Sequence, residues 1–257
     1  MGVFNDKLTT PAEWNKMPQE YKDLFVKVMT IQSDSELGGP HLYVEKWILA
    51  APTAEDQMML AKTAAEEFDH HRKFVKVMGD LNIDLNYQIR NGREKRMLEI
   101  FRFPLETWAD MGCFGAFIDR IGGYHLNDFA ECSYVPVAKI IPQILKEEAQ
   151  HIAHGLRILD SMCQTEEGRA ECQKALDKIY VRALDMFGVL LGGAVVLLPI
   201  FAKDILEVGP AGYGFLRAST TIGSFSGSIL FTQFPIDRKS TRLNSSHVAL
   251  SRMPSSA

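Results

Sequence analysis

From Gln19 onward, apolar side chains recur at helical spacing. Leu24, Phe25, Val28 and Met29 lead through Gln32 to Glu36 on one face, which predicts a helix over 19–37. Gly38, Gly39 and Pro40 predict its end, and the stretch Leu42, Tyr43, Trp47, Ile48, Leu49 reads as a connector. Thr53 stands as an N-cap, with Glu55 and Asp56 in the first turn, where the helix dipole favours acid. That second helix is expected to reach Met78 and stop at Gly79. Residues 80–103 are more polar and show no clear period. Pro104 suits the first turn of a third helix running to Ala130, and Ser133 with Pro136 opens a fourth that reaches Met162. A weaker fifth segment covers Glu166 to Met186. Strand-period alternation is lacking throughout residues 1–187, so the pattern predicts an all-α bundle.

After Gly188 the pattern changes. Phe187 to Ala202 and Ala218 to Ile236 carry no charge, near the lower length limit for a membrane span, but Pro199 and several glycines interrupt them. The final RKSTRLNSSHVALSRMPSSA has low hydrophobicity and reads as disordered. Three parts are therefore expected: a helical domain over 1–187, an apolar segment over 188–237 and a disordered tail over 238–257.

Composition adds limits. Hydrophobic residues are 46% and charged residues 23% of the chain, enough for an ordinary buried core. A net charge of −4 gives no reason to expect nucleic acid or an anionic membrane as partner. Cys113, Cys132, Cys163 and Cys172 form no C-x-x-C pair, so a thiolate zinc site and a disulfide scaffold both fit poorly. Buried thiols in a reducing cytoplasm are the expectation. The opening MGVFNDKLTTPAEW lacks the apolar core of an export signal.

Chemistry is concentrated in two E-x-x-H motifs, Glu67…His70 and Glu148…His151, 81 residues apart. Positions i and i+3 share a helix face, so each motif presents a carboxylate and an imidazole together. Each motif also lies in an apolar stripe. Leu60, Thr63, Glu67, His70, Phe74 and Val77 share one, and Val137, Ile141, Ile144, Glu148, His151 and Gly155 share the other. Charged groups in such stripes are costly to bury unless something pairs with them. A pair of metal ions would do so: in di-iron bundles two helices give E-x-x-H and two more give one carboxylate each. Glu36, 31 residues before Glu67, and Asp119, 29 before Glu148, complete that doubled pattern. Asp110 and Asp128 compete with Asp119 but miss the spacing. Glu66, Glu147 and Asp69 fall off the stripes, so they are expected at the surface or one layer behind the metal, with alanine there leaving the site intact. His71 is expected to be exposed, and His154 to be packed or one layer out. Gly112, Gly115, Gly122 and Gly123 suggest close helix packing, with room for a substrate as the alternative. Four carboxylates and two imidazoles suit iron or manganese. Oxygenase, oxidase, ferroxidase and reductase chemistry all remain open on spacing alone.

Four stretches resemble one family. SELGG…EKWILAAPTAEDQMMLAKTAAEEFDHH, TWADMGCFGAFIDRIGGYHL, CSYVPVAKIIPQILKEEAQHIAHG and ALDKIYVRALDMFG are similar to the catalytic subunits of ring-1,2-phenylacetyl-CoA epoxidases, with benzoyl-CoA epoxidases as relatives. The resemblance covers residues 20–187. It implies a ferritin-like four-helix bundle whose carboxylate-bridged di-iron site is ligated by Glu36, Glu67, His70, Asp119, Glu148 and His151. It also implies dioxygen as co-substrate, an aryl-CoA substrate whose ring is epoxidised, electrons from a separate reductase, and a non-catalytic helical sister subunit. The rival expectations are another di-iron hydroxylase or oxidase, or a metal-binding subunit without turnover. Phe68 and Asp69 depart from the small residues of the family's first motif, which bears on substrate rather than metal. In the tail, LLPIFAKDILEVGPAGYGFLRAS resembles a transporter fragment and DRKSTRLNSSH a translated sequencing adapter, so a junction of foreign origin is expected near Gly188.

Overall fold

The computed structural model describes residues 7–200 together with Gly212, Gly214, Phe215 and Ala218. The chain divides into two compact units, Met1–Gly192 and Gly193–Ala257, and the fold below is that of the first. Most of residues 188–257, where the sequence predicts an apolar segment and a tail, lies outside the described residues.

The described residues form no strands, and their α-helices are α1 Pro11–Asn15, α2 Gln19–Ser35, α3 Gly38–Leu42, α4 Ile48–Ala50, α5 Ala54–Gly79, α6 Trp108–Cys113, α7 Asp119–Phe129, α8 Val135–Met162 and α9 Glu166–Ile200. Thr53 caps α5, its hydroxyl accepting from the Asp56 amide at 3.0 Å. Thr107 and Asp110 form a reciprocal capping box on α6, so that helix starts at Trp108 and Pro104 lies in the loop before it. The first helix stops at Ser35, with two residues between it and Gly38, Gly39 and Pro40, and those three open the next helix instead of a loop. Pro40 sits in the first turns of α3, where its missing N–H is tolerated. The two glycines are small because a Cβ on Gly38 would drive into the Phe101 ring, and one on Gly39 would press on Tyr43. The expected connector is therefore helical, with a π-turn over Tyr43–Trp47 leading into α4. A second π-turn, Phe114–Ile118, joins α6 to α7.

Two apolar clusters show how the helices run. One contains Phe25 and Met29 of α2, Phe74 and Val77 of α5, Leu126 and Phe129 of α7, and Val137, Ile141 and Ile144 of α8. The other contains Leu42, Tyr43 and Trp47, Leu60 and Ala64 of α5, Ala109 and Phe114, and Ile179 of α9. α2 and α8 run from the first cluster to the second, whereas α5 and α6–α7 run the other way. The 80–107 connection must then travel the length of the bundle. Leu81 and Leu85 lie in the first cluster and Leu98, Ile100 and Phe101 in the second, joined by short 3₁₀ turns. Four helices with one long crossover make a ferritin-like bundle. Among the described residues no helix is long and apolar enough to cross a membrane.

Candidate metal centre

Each helix of the bundle brings its polar residue to the level between the two apolar clusters. Glu36 follows α2 directly, Glu67 and His70 lie on α5, Asp119 opens α7 after the π-turn, and Glu148 and His151 lie on α8. All six are buried. Ligand-capable atoms of Glu36, Glu67, His70 and Glu148 lie within 4.8 Å of one another, as do those of Asp119, Glu148 and His151. The two groups share Glu148. His70 Nδ1 is 3.1 Å from Glu36 Oε2 and 3.4 Å from Glu148 Oε1. His151 Nδ1 is 3.4 Å from Glu67 Oε1 and 3.6 Å from Glu148 Oε2. The imidazole centroids are 6.2 Å apart.

This arrangement fits a pair of cations. Asp119 Oδ2 and His151 Nδ1 are buried without a hydrogen-bond partner, a costly condition that a coordinated ion removes. Without metal the charges settle in an uneven way. For Glu148, burial acts to raise the pKa, but the adjacent His151 and His70 imidazoles outweigh it and bring the value down to about 2. Burial and the neighbouring Glu148 charge push Glu67 up to about 8. Burial alone would lower both histidines, yet the surrounding carboxylates raise His70 to about 11 and His151 to about 12. Asp119 is raised well above its usual range by burial and then by Glu148 and Glu67.

Glu66 and Glu147 are not idle surface groups. His70 Nε2 donates to Glu147 Oε2 at 2.7 Å, and His151 Nε2 donates to Glu66 Oε2 at 3.0 Å. Each of these two histidines is thus held from behind by a carboxylate of the opposite E-x-x-H helix, which orients Nδ1 toward the centre. The repeated pair Glu66-Glu67 and Glu147-Glu148 was the available signal. Asp69, as expected, stays on the surface with Arg72 and Lys73. Asp110 caps α6 and also accepts from Lys178 at 2.7 Å, while Asp128 is exposed. His71 is buried rather than exposed, its Nδ1 2.9 Å from the Ser33 carbonyl oxygen. His154 Nε2 donates to Asp56 at 3.0 Å.

Residues beyond the two motifs also shape the site. Gln32 Nε2 donates to Glu36 Oε1 at 2.5 Å, and its Oε1 lies 3.0 Å from His125 Nδ1. Arg96, fully buried, bridges the crossover to α2. It donates to Asp34 Oδ1 at 2.9 Å and to the Gln88 and Asn91 carbonyls, while Asp34 Oδ2 accepts the Met97 amide. That clamp sits two residues from Glu36, and nothing in the helical period of residues 80–103 announces it. A cavity of about 40 Å³ touches Glu36, Glu67, Asp119 and Glu148, with Phe101, Phe114, Ile118 and Leu126 as apolar walls. Phe68 faces away from it, into a separate surface pocket with Leu37 and His41, so its bulk does not reach the centre.

Fold and site together define the class: a ferritin-like helical bundle with a buried carboxylate–histidine centre able to hold two metal ions. The family model for phenylacetic acid catabolic protein matches residues 8–195, and the chain belongs to that family. It is 29% identical over 192 residues to one of the subunits of 1,2-phenylacetyl-CoA epoxidase from Escherichia coli (strain K12), covering 72% of this chain and 60% of that protein. It is 25% identical over 164 residues to benzoyl-CoA oxygenase component B of Aromatoleum evansii, covering 59% of this chain and 34% of that protein. The chain therefore spans less than two thirds of the length of each relative.

Proposed function

We propose that this chain is the oxygen-activating subunit of a di-iron oxygenase that inserts one atom of dioxygen into the ring of an aromatic acyl-CoA, in the manner of an epoxidase. The observation that carries the reading is the pair of overlapping ligand groups sharing Glu148, with Asp119 Oδ2 and His151 Nδ1 left unpartnered between them. Glu36, Glu67, His70, Asp119, Glu148 and His151 would hold the irons, which when bound supply dioxygen reduction. Hard carboxylate oxygens with borderline imidazoles suit iron.

The protein's own part is positional. Glu147 and Glu66 fix the histidine tautomers, the apolar walls keep bulk water from the cavity, and Gln32 holds Glu36. Transfer of one oxygen atom to the ring, with the other leaving as water, consumes two electrons and two protons. We assign the electrons to a separate reductase, because the sequence holds no G-x-G-x-x-G dinucleotide fingerprint. The names of the relatives, a CoA epoxidase subunit and a CoA oxygenase component, support a CoA thioester substrate and a multi-subunit assembly, and we place a helical sister subunit in that assembly. Four unpaired cysteines support a reducing, cytoplasmic setting.

The test is direct. Iron-reconstituted chain should hold about two irons. With a reductase, a panel of aryl-CoA thioesters and ¹⁸O₂, it should give one labelled oxygen per product molecule by mass spectrometry, and none when the reductase is left out. Zinc in place of iron, or one ion or fewer per chain, would sink the metal reading. Unlabelled product would sink the oxygenase.

A further inference from the structure

His71 follows a ligand histidine in sequence yet takes no part in the centre. His70 faces Glu36 and Glu148, whereas His71 turns to α2, its Nδ1 2.9 Å from both the carbonyl and the hydroxyl oxygen of Ser33. A carbonyl oxygen can only accept, so Nδ1 carries the proton and Nε2 of the neutral ring is left as a lone-pair acceptor. His71 is 3% exposed, and its Nε2 is buried with no hydrogen-bond partner. Buried polar atoms are nearly always paired, so an exception beside a cavity points to a ligand that pairs with it. Such a cavity is present. His71 lines a surface pocket of about 220 Å³ where α5 meets α3 and the crossover, with Leu37, His41, Phe68, Val75 and Ile89 around it. The pocket shares no lining residue with the inner cavity at the metal centre. Leu37 is buried, while Phe68 and Ile89 keep 46% and 57% of their surface exposed, so the apolar wall runs from the interior out to solvent.

We propose that this pocket binds a small neutral aromatic molecule with one O–H or N–H donor, of the class of phenol and indole, which donates to His71 Nε2 while its ring packs among Leu37, Phe68, Val75 and Ile89. Size supports the class: an apolar cavity of about 150 Å³ holds benzene, so this pocket suits one or two rings and is too small for a CoA thioester. Shape supports it too, because Phe68 and the two imidazoles offer flat faces for a ring. Polarity excludes the commonest alternative. A carboxylate would set an acceptor against the acceptor Nε2, and Arg72, the cation in the lining, already donates to Asp69 at 2.7 Å. Asn86 is likewise occupied, its side-chain amide donating to Asp84 at 2.8 Å. The site stands apart from the chemistry at the metal centre and does not rest on the oxygenase reading.

The experiment is isothermal titration of the full iron-loaded chain with phenol, indole, anisole and benzoate. Phenol and indole are expected to bind at one site. Anisole keeps the ring and loses the donor, so it should bind about tenfold more weakly than phenol, the worth of one hydrogen bond to a buried acceptor. Benzoate should not displace phenol. Val75→Trp fills the pocket from the side of α5 and should keep its iron while losing phenol binding. His71→Phe keeps a ring of similar size without the acceptor, and should bring phenol down to the affinity of anisole. If either variant fails to load iron, Phe68→Ala, at a half-exposed position, carries the test of location and should bind phenol several-fold more weakly, while phenol against anisole on the parent chain carries the test of the donor. A parent chain that binds neither phenol nor indole overturns the site. So does phenol binding no tighter than anisole, and so does unchanged phenol affinity when the pocket is filled or Phe68 is removed.

Discussion

His70 and His151 owe their orientation to carboxylates that a helical wheel puts on the wrong face. Glu147 and Glu66 should therefore matter to metal binding, contrary to the expectation drawn from the stripes. Glu147→Gln or Glu66→Gln is expected to weaken iron affinity by roughly 10–100-fold with the helical signal unchanged. Competition against a calibrated chelator measures this, and parent-like affinity in both would leave the two carboxylates as surface groups. The sequence made Glu36, Glu67, His70, Asp119, Glu148 and His151 legible because each lies on an apolar face at a repeated spacing. It could not show Glu147 reaching His70, since that contact depends on how far apart α5 and α8 pack. Charge gives a second prediction at this scale. At pH 7 the metal-free His70, His151 and Glu67 carry protons, their pKa values standing at about 11, 12 and 8, while Glu148 at about 2 does not. Cations must displace those protons. Ferrous titration in weak buffer should release about three or more protons per chain, and affinity should strengthen as pH rises from 6 to 8. A pH-independent affinity over that range would show the charge distribution to be wrong.

At the scale of elements, glycines divide into two kinds that the sequence cannot tell apart. Gly155 of α8 lies against the backbone of the π-turn, with Ala116 N, Gly115 C and Gly112 O all under 3.0 Å from an added Cβ. Gly155→Ala should cost about 1–3 kcal/mol in chemical denaturation, because neither backbone can move aside without moving a ligand helix. Gly122→Ala, with open space, should cost nothing. The Arg96–Asp34 pair offers another prediction. Arg96→Ala leaves Asp34 buried and uncompensated, with an expected loss of about 3–5 kcal/mol. Arg96→Met combined with Asp34→Asn should lose less, and equal losses would show that the ion pair does not hold the crossover. The crossover itself was illegible for a physical reason. Its 3₁₀ turns are too short for a period, and its order comes from one guanidinium meeting backbone carbonyls and a distant carboxylate.

On the scale of the whole molecule, the helical pattern identified the four bundle helices that carry the candidate ligands and their order, while the two apolar clusters show their directions. Gly188, where the charge pattern changes, lies within α9, which runs to Ile200, and the family match covers residues 8–195. The core contacts of α9 come from Cys172, Ala175, Ile179, Ala183 and Met186, and Lys178 reaches Asp110. A chain ending at Ile200 is therefore expected to keep its full iron content and a single sedimenting species. Loss of iron on that truncation would make residues 201–257 part of the folded site.

The crossed contacts between α5 and α8 have a last consequence, for how the molecule assembles. Each helix supplies a ligand histidine and also the brace for its neighbour's histidine, so neither half of the centre is complete on its own. If α8 slid by one turn along α5, a shift of about 5.4 Å, both braces would break at once. The centre thus works as a register key, and a mispaired bundle would be marked by its failure to take up metal. Iron binding during refolding would then time the docking of α5 against α8, not the growth of either helix.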